Sequence, residues 1–188
     1  MVELTDIPTN TSGSVNVGDI YGGTFAIFSS AAAETETSEG SPDIAAVKTV
    51  SLYDPGGSGL YAVPGVDVIY DIHVSNSGTS SPDADSIFIV DNLPTDVIFY
   101  NGDIDDGGPE TNPIAFIDYG SGLTLNYAAD VGYSNAATPP ADLSACNYTP
   151  AIGYDPNVTH ICFQPSGTMA SSSGTPACAV QFLSLIHI

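Results

Sequence analysis

Alternation of apolar and polar residues with a period of two is the dominant signal along this chain, and helical periodicity is almost absent. The clearest run is Val66-Asp-Val-Ile-Tyr-Asp-Ile-His-Val74. Val66, Val68, Tyr70, Ile72 and Val74 fall on one face, Asp67, Asp71 and His73 on the other, the pattern of a half-buried strand. Similar runs predict strands over 46–53, 86–90, 97–100, 114–119, 123–128, 158–163 and 177–182. The links DPGGSG, SNSGTSSPD, DNLPTD, DDGGPETNP and PSGTMASSSGTP carry the residues that turns require. Eight or so short strands about one core predict an all-β fold, an immunoglobulin-like antiparallel β-sandwich.

Residues 1–43 break this rhythm. SVNVGDIYGGTFAIFSS is β-like, and AAAETETSEGSPD after it has no core-forming pattern, so it reads as an acidic linker. The chain therefore divides into an N-terminal extension (1–43), a sandwich (44–182) and a short terminal run (183–188). Within the extension, Thr24, Phe25, Ala26, Ile27 and Phe28 are the candidate strand for assembly, with 14–20 as a second choice.

Composition narrows the partners. Twenty-two acidic residues face one base, Lys48, for a net charge of -21. Such a surface repels nucleic acid and anionic lipid, and no apolar stretch reaches the length of a membrane helix, so neither nucleic-acid binding nor direct membrane insertion is expected. The start, MVELTDIP, lacks the basic and apolar regions of a secretion signal; either Met1 is internal to a longer protein or the chain is already processed.

Cys146, Cys162 and Cys178 are odd in number and do not form the close pairs of a zinc ribbon. They are disulfide candidates in an exported protein, their connectivity open, and the odd one implies a partner downstream or on another chain. His160 and Cys162 share a strand face, which leaves a metal site as an alternative. Asn101, Asp103, Asp105 and Asp106 alternate oxygen side chains before a Gly pair, a candidate calcium loop that lacks the Gly, the twelfth ligand and the helices of an EF-hand. Its plain alternative is an acidic hairpin loop. Asn10, Asn147 and Asn157 occupy glycosylation sequons. The sequence carries no nucleophile elbow, zinc-protease motif or phosphate loop, and no enzymatic activity or required cofactor is expected.

Four segments then occur in order: Val47-Lys-Thr-Val50, Val63-Pro-Gly65, Val68-Ile-Tyr-Asp-Ile-His-Val-Ser-Asn-Ser-Gly78 and Val90-Asp-Asn-Leu-Pro94. Together they resemble the bacterial and archaeal surface-repeat module catalogued as domain of unknown function eleven, over about residues 46–100. The remainder, through THICFQPSGTM, resembles the longer form found in environmental marine and freshwater bacteria. Asp71 stands where that module usually has Thr. The resemblance implies an extracellular, non-enzymatic module of stalks, fibres and adhesins. From the residues themselves, Pro64-Gly65 is expected to turn the chain, and Asn76 and Gly78 to adopt positive backbone angles.

The same module usually continues its last strand with alternating basic and apolar residues. Here Leu183-Ser-Leu-Ile-His-Ile188 replaces them. Those six residues translate CTG TCT CTT ATA CAC ATC, a transposon-end sequencing adapter, so 183–188 are expected to be an adapter scar on a C-terminally truncated chain. Lys48 carries two readings. Some bacterial surface sandwiches crosslink a strand lysine to Asn or Asp beside a catalytic carboxylate; the pattern of the family it resembles implies a plain alternative, a lysine packed by its stem and paired with an Asp.

The functional expectation is a subunit or stalk repeat of a cell-surface filament, assembled head to tail by β-strand addition to copies of itself or neighbouring repeats. The alternative is a calcium-dependent adhesive or glycan-binding surface module.

Overall fold

The computed structural model divides the chain into two compact units, Met1–Ser38 and Glu39–Ile188. It describes residues 40–54, 57, 61–104, 112–171 and 176–187, all in the second unit. That unit is an antiparallel all-β sandwich.

In the larger sheet, β1 (Ile44–Leu52) pairs with β2 (Asp67–Asn76), and β2 pairs with β11 (Ala177–Ile186). The far side of β11 is shared by β5 (Ile114–Tyr119) and β4 (Val97–Asn101), and β4 carries β8 (Gly153–Asp155). The facing sheet is β3 (Ile89–Asn92), β9 (His160–Phe163) and β7 (Val131–Ser134), with β9 central. A short ribbon joins β6 (Leu123–Thr124) to β10 (Ser166–Gly167).

The alternation read on β2 sets the core. Val68, Tyr70, Ile72 and Val74 are buried, and in register with them stand Ser184, Phe182, Val180 and Cys178 of β11. Phe99 joins the sheets, its ring 5.1 Å from Tyr133 and 6.4 Å from Phe182. Burying each such aromatic contributes about 1.5–3 kcal/mol, which is why β4 and β7, brief as they are, hold their places.

Several elements differ from expectation. Residues 123–128 do not form one strand: β6 ends at Thr124, and a single helical turn, α1 (Tyr127–Asp130), follows. Asn126 caps it by accepting from Ala128 N, and the Asp130 carboxylate accepts from Asn126 N in return. That reciprocal capping overrides the alternation of Leu123, Leu125 and Tyr127. β3 begins at Ile89 rather than 86, because its ladder is set by β9. Val66 lies in the turn before β2, its N–H donating to Val63 O, with Gly65 at φ +90° as Pro64-Gly65 predicted.

Asn76 and Gly78 are a correction of mechanism. Neither has a positive φ. Asn76 is fully buried and spends its whole side-chain capacity on the chain: Oδ1 accepts from Asp43 N and Gly78 N, while Nδ2 donates to Ser80 O and Ala170 O. Gly78 is small because the backbone at Ser41–Asp43 passes where a Cβ would be. The motif thus ties the start of β1 to the end of β2.

Leu183, Ser184, Leu185 and Ile186 continue β11 in register with Ile69, Val68 and Asp67 of β2, and with Phe99, Ile98 and Val97 of β4. An alternating apolar run beside a strand extends its ladder whatever its coding origin. Ser184 faces the core with no exposure, and its hydroxyl has no hydrogen-bond partner.

Candidate functional site

β1 is an edge strand: among the described residues its only ladder is with β2. Tyr53 N donates to Asp67 O and Ser77 N to Asp43 O. In an antiparallel pair such bonded positions alternate, so odd-numbered residues of β1 bond to β2. The backbone N–H and C=O groups of Ile44, Ala46, Lys48, Val50 and Leu52 therefore point to the open side. Val47 and Val50, on opposite faces, are 56% and 57% exposed. The strand is nine residues long, with neither proline nor a bulge in its register.

Natural edges of this length are commonly guarded by a lysine projecting into solvent. Here Lys48, its side chain still 30% exposed, reaches across to the facing sheet. Its Nζ lies 2.7 Å from Asp91 Oδ1 and 2.8 Å from Oδ2, and 4.2 Å from the centre of the Tyr70 ring. Asp91 belongs to β3, so the pair bridges the two sheets at the β1 side of the sandwich. Asp91 is buried. Burial pushes its carboxyl above the ordinary value, while the hydrogen bond and charge of Lys48, and more weakly His160, act the other way. The structure thus supplies the Asp partner expected for Lys48. Lys48 and Asp91 lie 43 residues apart, and only the V-K-T and D-N-L-P segments flagged them.

The three cysteines separate in role. Cys146 and Cys162 form a disulfide that ties the 3-10 turn at Leu143–Ala145 to β9. Cys178 is free and buried in the core, where it acts as a small apolar side chain. Burial pushes its thiol up to about 11, the reverse of a reactive cysteine. His160 shares the Cys162 face, but that sulfur is taken by the disulfide, and the His160 ring bonds Thr159 Oγ1. Among the described residues no group of three His, Cys, Asp or Glu side chains is placed to hold a metal.

Of the calcium candidates, Asp105 and Asp106 lie outside the described residues. Asn101 donates its amide to Pro150 O and Ala151 O. Beside it, exposed Tyr154 packs on Tyr100 with ring centres 5.0 Å apart and donates to both Asp67 oxygens. Burial, then the Asp67 hydrogen bond, pushes the Tyr154 hydroxyl up to about 12.

Asn147 and Asn157 are exposed. The Asn157 amide donates to Asp155, a buried carboxylate that also accepts from Asn157 N, Ala151 N and Tyr148 Oη. Composition alone did not flag this knot; its local signal is Asp155-Pro-Asn157, a turn-forming triplet. Asn10 and the Thr24, Phe25, Ala26, Ile27 and Phe28 strand candidate lie outside the described residues. No described helix is long and apolar enough to cross a membrane.

No protein-family model, characterised protein or solved structure matches the chain.

Proposed function

We propose that this protein is a non-enzymatic extracellular module, a subunit or stalk repeat of a surface filament in which residues 24–28 of one copy add as a strand to β1 of the next. The observation that carries the reading is the regular nine-residue edge that β1 leaves open among the described residues, whose single lysine is engaged by Asp91. Added backbone hydrogen bonds would satisfy the outward groups, and a contact between unlike surfaces propagates rather than closes. The Cys146–Cys162 disulfide suits an oxidising compartment, and the ordered resemblance to surface repeats agrees with it.

The test compares the full chain with a Phe25→Asp, Ile27→Asp variant by electron microscopy and light scattering. The full chain should form filaments, and the variant should remain monomeric with an unchanged melting transition of the sandwich. A full chain that stays monodisperse at high concentration with residues 1–43 intact sinks the reading. If its β1 amides are then protected from exchange, the segment pairs within its own chain.

A second reading, calcium-dependent adhesion or glycan binding, rests on exposed Tyr154 packed on half-buried Tyr100 beside Asn101. It requires a melting temperature that falls when chelator is added.

A further inference from the structure

We infer that the sandwich has a second acceptor edge, the free side of β3 beneath β1, and that it takes residues 14–18 of a second copy as a strand. The inference rests on the proposed assembly by strand addition and adds to it a second strand with its own seat.

The observation is a step in the sandwich. Ile44, Ala46, Lys48, Val50 and Leu52 stand opposite Asn76, Val74, Ile72, Tyr70 and Val68 of β2. Directly opposite residues share a sheet face, and those five β2 residues form its buried face. The even-numbered side chains of β1 therefore point inward too. Yet Ile44 is 39% exposed, Val50 57%, and Ala46 is exposed as well. An inward-facing apolar residue is exposed only where the opposite layer stops short. β3 is the edge of that layer: among the described residues it pairs with β9 alone. Lys48 reaches Asp91 of β3 over the Tyr70 ring, which sets β3 opposite β2 and leaves the inward face of β1 uncovered beyond it. Leu93 N donates to Thr159 O, and Gln164 N to Asp130 O on the β7 side. Bonded positions alternate, so odd-numbered residues of β3 bond to β9. The backbone groups of Val90 and Asn92 point to the free side, under β1.

That seat suits a strand with one dry face, one wet face and little charge. From Ile44 to Tyr53 the chain carries no acidic residue, and Lys48 and Asp91 neutralise each other. Residues 7–18 are likewise free of acids in a chain that has 22. They can approach β1 without the repulsion that a net charge of -21 imposes elsewhere. Val15 and Val17 alternate with Ser14, Asn16 and Gly18, so the valines would lie on Ile44, Ala46 and Val50 while the other set faces water. Residues 24–28 lack that division, with Phe25 and Ile27 on one face and Ala26 and Phe28 on the other. The connection also reaches. The chain from residue 18 to residue 24 spans about 20 Å when extended, and facing sheets lie about 10 Å apart. One copy can thus lay 24–28 on β1 and 14–18 on β3 of the next.

The experiment is hydrogen exchange, read peptide by peptide, on assembled full chain and on the Phe25→Asp, Ile27→Asp variant. Amides of both β1 and β3 should gain protection in the assembly over that variant. In filaments of a Val15→Asp, Val17→Asp variant the gain at β3 should be lost while the gain at β1 remains, since 24–28 is untouched. Val50→Asp should remove the β3 gain in the same way, and Val47→Asp, on the outward face of β1, should not. Filaments protected at β1 alone overturn this inference and leave strand addition to β1 standing, whereas a chain that forms no filament overturns both. Protection at β3 that survives Val15→Asp, Val17→Asp gives the seat to another segment and overturns the inference as well.

Discussion

At the residue scale, the polar side chains that matter most are buried ones that spend their hydrogen-bonding capacity on the chain itself. Asp155 is 1% exposed and accepts four hydrogen bonds from Tyr148, Ala151 and Asn157. Burial works to raise its carboxyl, but the donors outweigh it and hold the group below its ordinary value. A carboxyl lowered by folding stabilises above its unfolded value of about 3.9, and that contribution is lost as pH falls through the folded value. Asp155→Asn, which turns an amide toward some of those donors, should therefore cost about 1–3 kcal/mol at neutral pH. The gap between the two proteins should close in acid, which melting temperatures from pH 7 to 2 would reveal; a gap independent of pH refutes the role. None of this is legible from composition, where Asp155 is one acid among 22. Asn76 teaches the same lesson. Its position in N-S-G was visible, but its four partners lie at residues 43, 78, 80 and 170, and only tertiary structure brings them together.

At the element scale, legibility follows burial contrast. β2 has one buried and one half-buried face, so its alternation was plain, and β5 was predicted to its end residues. β7 and β8, at four and three residues, were missed: they are too short to show a period, and β8 is held by its pairing with β4. β1 was found from its sequence although most of its side chains are exposed, because β-branched residues favour strands even at an edge. The disulfide acts at this scale. It closes a loop of 16 residues between the 3-10 turn and central β9, and restricting the unfolded chain over such a loop is worth about 3 kcal/mol. Replacing Cys146 and Cys162 together by alanine should lower the denaturant midpoint by a corresponding amount. The same replacement at Cys178 instead tests core packing, since no bond is lost there. A double variant as stable as the parent would show that β9 is held by its ladders alone.

At the scale of the whole molecule, charge sets the conditions under which any strand exchange can occur. Each copy carries a net charge of -21, and strand addition brings two backbones to about 4.8 Å. Repulsion between copies acts over about 8 Å at physiological ionic strength and about 30 Å in 10 mM salt. The acceptor edge is itself flanked by Asp43 and Asp54, and the donor must arrive on a linker containing Glu34, Glu36 and Glu39. Filament growth should thus be suppressed in dilute buffer and rise with sodium chloride, measured as light scattering at fixed protein concentration. Screening has no preference among cations of equal charge, so calcium and magnesium chlorides at matched ionic strength should act alike. A response to calcium alone would reject screening and move the weight to the oxygen-rich segment from Asn101 to Asp106. Assembly that ignores salt altogether would mean that the joined surfaces keep their acidic residues well apart, and the route through β1, with Asp43 and Asp54 at its ends, would fail.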